Sequence, residues 1–269
     1  MQVLSIQRIN VRNILLILSY DGTNFCGWQR QPQSEEKKLR TVQEELERAL
    51  AILHKTEIIA HGSGRTDSGV HGIGQAVTFL SPIDSIPLEK YPLALNSLLP
   101  RDIRILSATE KSIDFHARFS ATARTYRYYI ATNPPFAHEM NYLWYIGRKV
   151  DISRLNRMAS LFCGEIDCTT FSAAQDQSPS KSRYLYKAVF YPEGEKLVFE
   201  ISANAFLWKM VRSIVGSLLY YEKLGYDKEE FRKIIESKNR KLAGPTAPPQ
   251  GLFLWNVSFS GTRINGKKS

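Results

Sequence analysis

The stretch Gly62-Ser63-Gly64-Arg65-Thr66-Asp67-Ser68-Gly69-Val70-His71-Gly72 places one carboxylate among small residues, two positions after an arginine. Its four glycines predict a loop whose backbone can take positive φ and approach another molecule closely. The run that follows, residues 75–80, alternates as a β-strand does. If the loop is extended, Arg65 and Asp67 point to the same face. The stretch therefore predicts a strand, a loop and a strand that present an acid and a cation together.

A purely structural interpretation of residues 66–69 stays open, because Asp and Ser in a turn hydrogen-bond nearby backbone amides. Two nucleotide-binding interpretations are excluded. A dinucleotide-binding loop would have glycine in place of Asp67 and a helix after it, and a phosphate-binding loop would contain Gly-Lys-Ser/Thr. The stretch alone leaves a structural turn and a reactive loop as alternatives.

The composition indicates a globular, basic protein. Apolar residues make up 43% of the 269 residues and aromatic residues 11%, and the formal charge is +10. This charge favours a polyanionic partner such as nucleic acid or an anionic membrane. Basic and aromatic residues alternate at 118–119, 124–129 and 208–209, a mixture that suits phosphates together with stacked bases. A basic protein without such a partner is the plain alternative.

Several classes of protein are not indicated. Cys26, Cys163 and Cys168 form no CxxC pair, and the five histidines lack the spacing of metal ligands. We therefore expect no disulfide framework and no metal. The apolar run at 14–18 is too short for a signal peptide, and no stretch is long enough to span a membrane. The expectation is a soluble, cytoplasmic protein without a membrane partner.

The order of predicted elements suggests two units with a similar plan. The first has a strand at 13–19 and a helix capped by Thr41, and the second has a strand at 124–132 and a long helix at 205–224 capped by Asn204. We expect an α+β fold of two similar α/β lobes, joined through a continuous, mainly antiparallel sheet flanked by helices, with a basic central cleft. The predicted divisions are an N-terminal arm (1–12), a first lobe carrying the Asp67 loop (13–112), a second lobe (113–262) and a frayed tail (263–269).

Two groups of polar side chains in the second lobe are candidates for a site. Arg124, Tyr126 and Tyr128 share one strand face, which offers an aromatic platform beside a cation, with core packing as the alternative. Lys209 and Arg212 lie three residues apart on the long helix, where a solvated face is the usual interpretation. An arginine near Asp67 would favour the ionised carboxylate that nucleophilic catalysis needs.

Ordered blocks along most of the chain carry a family resemblance. They are YDGTNF (20–25), GWQ (27–29), TVQ (41–43), GRTDSGVH (64–71), ALN (94–96), FHARFSAT (115–122), RTYRY (124–128), NAFL (204–207), MVR (210–212) and GPTAP (244–248). With these blocks the chain resembles the TruA family of tRNA pseudouridine synthases. The resemblance implies a cofactor-free homodimer that converts uridine to pseudouridine at positions 38, 39 and 40 of the tRNA anticodon stem-loop.

The resemblance also implies roles for single residues. Asp67 would be the nucleophile, attacking C6 of the base or C1′ of the sugar, after which the uracil detaches, rotates and rejoins through C5. Tyr126 would pack on the uracil and help to remove the C5 proton. Arg65 would fill the gap left by the flipped base, whose extrusion costs a few kcal/mol. Arg212 would be the ion-pair partner of Asp67.

Arg118, Arg124 and Lys209 complete the expected RNA-binding set. The chain departs from the family pattern at Ser68, at 167–168 and at 208–209, where a tryptophan and a lysine replace a more usual histidine-containing pair. Two alternatives stay open: an RNA-binding protein that has lost activity, and a pseudouridine synthase for another RNA. The intact Arg65, Asp67 and Tyr126 favour an enzyme over the first alternative.

Overall fold

The computed structural model describes residues 11–31 and 39–264. Most of the predicted N-terminal arm (1–10) and the last five residues of the predicted tail (265–269) lie outside the described residues. Residue 12, expected in the arm, is the first residue of a strand.

A single sheet of ten strands forms the centre of the described structure. In chain order the strands are β1 (Arg12–Tyr20), β2 (His61–Gly62), β3 (His71–Ser81), β4 (Ile103–Lys111), β5 (Ala123–Ala131), β6 (Trp144–Tyr145), β7 (Gly164–Asp167), β8 (Ser182–Glu193), β9 (Lys196–Ala203) and β10 (Leu252–Ser258). They are arranged as β4-β1-β3-β10-β5-β9-β8-β7, with β2 on β3 and β6 on β5. Only β10 with β3 and β5 with β6 pair in parallel among these strands. The expected continuous, mainly antiparallel sheet is confirmed.

Helices flank this sheet, as the α+β prediction requires. They are α1 (Val42–His54), α2 (Tyr91–Leu98), α3 (Ile152–Ala159), α4 (Met210–Lys223) and α5 (Lys228–Glu236). Thr41 caps α1 as predicted, since its side chain accepts a hydrogen bond from the backbone N–H of Glu44. Such a cap satisfies one of the amides that a helix start leaves without a partner.

The core consists of two hydrophobic clusters. One contains Leu16 of β1, Val77 of β3 and Leu46 of α1, all fully buried. The other contains Phe199 of β9 and Ile214 of α4, also fully buried. Buried residues alternate along β5, so one face of that strand meets the core, whereas β3 is buried along most of its length. The predicted boundary at 112–113 falls between β4 and β5.

The long helix predicted at 205–224 is corrected at its start. It begins at Met210, and residues 204–209 form a turn in which Lys209 has a left-handed φ of 59°. The prediction that Asn204 is the N-cap of this helix is therefore wrong. The Asn204 side chain instead accepts from the backbone N–H of Tyr184 and donates to the carbonyl of Ile264. The turn places Trp208 outside the helix, beside the Asp67 loop.

No helix within the described ranges is long and apolar enough to cross a membrane.

Candidate active site

The Asp67 loop is held from both sides by the first lobe. The hydroxyls of Tyr20 and Thr66 lie 2.8 Å apart, and the Gln75 amide donates to the carbonyl of Gly64 at 2.7 Å. The backbone N–H of Trp28 donates to the carbonyl of Thr66 at 3.1 Å. These contacts fix the backbone before the carboxylate, and after it the N–H of Gly69 donates to the carbonyl of Phe25 at 3.3 Å.

The four glycines around Asp67 serve different purposes. Gly69 has a positive φ of 76°, whereas Gly62 and Gly72 allow close approach of the protein's own Trp28 and Tyr20 rings. A Cβ on Gly62 would lie 2.6 Å from the indole of Trp28, so a larger residue would displace that ring. The expected positive φ is found at one of the four, and the close contacts at Gly62 and Gly72 are within the chain.

Asp67 uses both carboxylate oxygens. Arg212 donates from Nη1 to Oδ2 at 3.1 Å, and the Trp208 indole Nε1–H donates to Oδ1 at 2.8 Å. The Asp67 side chain is 21% exposed and that of Arg212 13%. An acid held at the edge of solvent by a cation and a neutral donor is ready to act as an anion.

Trp208 is a site residue that the sequence analysis did not include. Its side chain donates to Asp67 although the residue is 42% exposed. The sequence feature that could have identified Trp208 as a site residue is its departure, together with Lys209, from the family pattern. The helix predicted at 205–224 included Trp208, and a Trp208 within a helix would not lie in the turn that faces Asp67.

Tyr126 lies on β5 beside the loop. The residue is 7% exposed, its ring meets Phe206 edge-to-face at 5.0 Å, and a Cβ on Gly64 would be 3.6 Å from its hydroxyl. Burial raises the pKa of Tyr126 to about 12, and the nearby charge of Asp67 acts in the same direction. The phenol is therefore protonated at neutral pH. Tyr128, on the same face, is fully buried and donates to the carbonyl of Pro248.

Arg124 lies inside the protein and does not face an open surface. Its guanidinium donates to the backbone carbonyls of Ser63, Arg118, Ala121 and Asn204. Burial lowers the pKa of Arg124 to about 10. The side chain thus ties together three segments that carry candidate residues: the Asp67 loop, the segment of Arg118 and the turn of Trp208.

The remaining predicted residues are exposed. Arg65 makes no ion pair or side-chain hydrogen bond among the described residues. The Arg118 guanidinium lies 5.7 Å from the ring of Phe119, and the Lys209 ammonium 4.9 Å from the ring of Trp208. Each of these cations is accessible to an anionic partner. The structure thus brings Asp67, Arg212 and Tyr126 together and leaves Arg65, Arg118 and Lys209 at the surface.

The described residues contain no group of three or more His, Cys, Asp or Glu side chains placed to hold a metal ion. The chemistry that this site offers from its own side chains is that of a carboxylate nucleophile beside a buried phenol.

Comparison with known proteins places the whole arrangement in context. Residues 16–120 and 158–260 match the family described as tRNA pseudouridine synthase. The tRNA pseudouridine synthase A of Treponema denticola is 58% identical over 251 residues, which cover 93% of this chain and 94% of that protein. That of Treponema pallidum is 51% identical, covering 88% and 85%. That of Anoxybacillus flavithermus is 41% identical, covering 93% and 99%.

Proposed function

The chain belongs to the tRNA pseudouridine synthase family, whose reaction is the isomerisation of uridine in tRNA, and from this premise we propose that Asp67 is the nucleophile. The observation that carries the proposal is the Asp67 carboxylate itself, held by Arg212 at 3.1 Å and by Trp208 at 2.8 Å. No other described carboxylate is joined to both of these side chains.

The reaction needs no net gain or loss of atoms. The Asp67 carboxylate attacks C6 of the uracil or C1′ of the ribose, and the C1′–N1 bond breaks. The uracil rotates, C5 bonds to C1′, the C5 proton leaves while N1 gains a proton, and the carboxylate is released. Arg212 stabilises the anion before attack and after release, because its guanidinium donates a charge-assisted hydrogen bond to Oδ2.

Tyr126 is proposed to pack its ring on the flipped uracil. Its place next to Gly64, three residues before Asp67, supports this role. With a pKa of about 12, the phenol of the free enzyme keeps its proton at neutral pH. To remove the C5 proton, Tyr126 would first have to lose its own proton. The bound nucleotide would then have to change the protonation of Tyr126.

Arg65 is proposed to enter the gap that the flipped nucleotide leaves in the stem. Its exposure two residues before Asp67 supports the role. A planar guanidinium can stack on the neighbouring bases and approach the phosphates at the same time. Arg118 and Lys209 are proposed to hold the RNA backbone.

The substrate positions are proposed to be 38, 39 and 40 of the anticodon stem-loop. The curated relatives are named tRNA pseudouridine synthase A, and 58% identity to one of them supports tRNA as the substrate, while the positions rest on the family resemblance of the sequence blocks. Mapping of pseudouridines in tRNA from cells with and without the protein tests this. Unchanged modification at these positions would refute the assignment, and loss at other positions would name a different target.

A homodimer in the cytoplasm is also proposed. The face of β5 opposite to Tyr126 carries Arg127 and Tyr129, which are half-buried, and the Arg127 guanidinium lies 4.0 Å from the ring of Trp255. A second copy that covers this aromatic and charged face would remove it from water. Sedimentation of the purified protein tests the stoichiometry, and a monomer at micromolar concentration would contradict it. Fractionation of cells tests the location.

Release of tritium from C5-labelled uridine in tRNA is the test of the nucleophile. Asp67→Asn removes the anion with little change in shape, and we expect no release above background. Asp84→Asn, at an exposed acid of the first lobe, is the matched control and keeps full activity. Full activity of Asp67→Asn would refute the assignment.

A further inference from the structure

Arg212 does not by itself fix the plane of the Asp67 carboxylate. Its Nε donates to the carbonyl of Ala247 at 2.7 Å, and only Nη1 reaches Asp67. A fork of two parallel hydrogen bonds would set the orientation of a carboxylate, whereas a single bond leaves rotation about Cβ–Cγ free. A second donor is required on the other oxygen.

Trp208 supplies that donor, at 2.8 Å from Oδ1. We propose that Trp208 is the positioning residue of the nucleophile, an inference that rests on the proposed role of Asp67. The indole N–H is neutral, so it orients the carboxylate without adding a second positive charge. It therefore limits the rotation of the anion while Arg212 provides the charge.

The backbone of Trp208 is held on both sides by the polar segment 173–181. Its N–H donates to Oδ2 of Asp176 at 2.7 Å, and its carbonyl accepts from the N–H of Ala173 at 3.0 Å. The left-handed Lys209 that follows ends the turn and starts α4. The fixed main chain keeps the Trp208 ring within reach of Asp67, and the Nε1–H bond to Oδ1 shows the direction that the ring takes.

The groups around Asp176 keep its carboxylate a hydrogen-bond acceptor. Its side chain is only 5% exposed and pairs with Lys181 at 2.6 Å. Burial acts to raise the pKa of Asp176, but hydrogen bonds from Lys181, the Trp208 backbone and Ser178 outweigh it and hold the pKa well below its usual range. Segment 173–181 is thus a brace that reaches Asp67 through Trp208.

The sharpest test removes the N–H alone. Replacement of Trp208 by 3-benzothienylalanine exchanges the N–H for sulfur and keeps the two-ring shape, and Trp208→Phe provides a genetically simple companion. We expect kcat on tRNA to fall about 10- to 100-fold in both, the effect of losing a hydrogen bond to a charged group. KM should stay within about twofold, since the bond acts on the nucleophile and not on RNA binding.

Trp144→Phe is the matched control, because Trp144 lies on β6, away from Asp67. It should retain the wild-type kcat. Asp176→Ala removes the brace and should lower kcat in the same direction. If Asp176 acts through Trp208, the double variant Trp208→Phe/Asp176→Ala is no slower than Trp208→Phe alone. If the fold-loss of kcat in the double variant equals the product of the two single losses, the two residues act independently. That result would overturn the proposed role of segment 173–181.

Asp67→Asn is measured beside these variants. An active Asp67→Asn enzyme would overturn the nucleophile and this inference with it. If Asp67→Asn is inactive and the benzothienyl enzyme keeps the wild-type kcat, the positioning role alone is overturned. A raised KM with unchanged kcat in the benzothienyl enzyme would overturn it in favour of RNA contact by Trp208.

Discussion

The guanidinium of Arg212 and the carboxylate of Asp67 form an ion pair at 3.1 Å although 145 residues separate them in the chain. Arg212 is held in place by Ala247, which accepts from its Nε and whose N–H donates to its carbonyl. Helix α4 thus delivers a fixed cation to the loop between β2 and β3.

Loss of this cation should affect chemistry more than binding. For Arg212→Met we expect kcat to fall about 10- to 100-fold, because the Asp67 anion loses its charged partner while the exposed RNA-facing cations remain. Single-turnover rates and filter binding of tRNA measure the two quantities. Arg212→Lys, which keeps the charge, should fall less. Equal losses of rate and affinity would contradict the ion-pair role.

The buried phenol of Tyr126 should make stability depend on alkaline pH. Its pKa is about 12 in the folded protein and about 10 in an unfolded chain. The contribution is fully present below pH 10, where both states keep the proton. It is lost as the pH rises toward 12, because the unfolded state releases its proton first.

Urea unfolding at pH 8, 9, 10 and 11 measures this dependence. Tyr126→Phe should show a shallower decline above pH 10 than the wild type, whereas Tyr220→Phe, at an exposed tyrosine of α4, should match the wild type. Identical declines in all three proteins would contradict the prediction.

Arg124 should matter for stability. Arg124→Met leaves four backbone carbonyls without this donor, three of them in buried hydrogen bonds, and we expect the free energy of unfolding to fall by about 2–4 kcal/mol. Urea titration measures it. Arg157→Met, at an exposed position of α3, is the control and should change it by less than about 0.5 kcal/mol. An Arg124→Met protein as stable as the control would refute the structural role.

Arg118, in contrast to Arg124, should matter for RNA binding and not for stability. Because its guanidinium is exposed, Arg118→Met should leave the unfolding free energy unchanged and weaken tRNA binding. If it contacts one phosphate, the slope of log affinity against log salt should become less steep by about 1. Binding titrations at several salt concentrations measure the slope. A slope equal to that of the wild type would exclude a phosphate contact.

The sequence by itself determined most of the elements and the candidate acid. The strands at 13–19 and 124–132 and the Thr41 cap are local patterns, and local patterns persist because a strand or helix repeats the same geometry along its length. The blocks around Asp67, Tyr126 and Arg212 identified the family from order and spacing. The short strands β6 and β7 and helix α5 were missed.

Only the tertiary structure decided which side chains meet. It moved the start of α4 to Met210, because the left-handed Lys209 interrupts the helix. It brought Trp208 to Asp67 across 141 residues and turned Arg124 from an expected surface cation into a buried hydrogen-bonding centre. A periodic pattern states which face of an element is apolar, whereas the partner of a polar group depends on where distant segments pack.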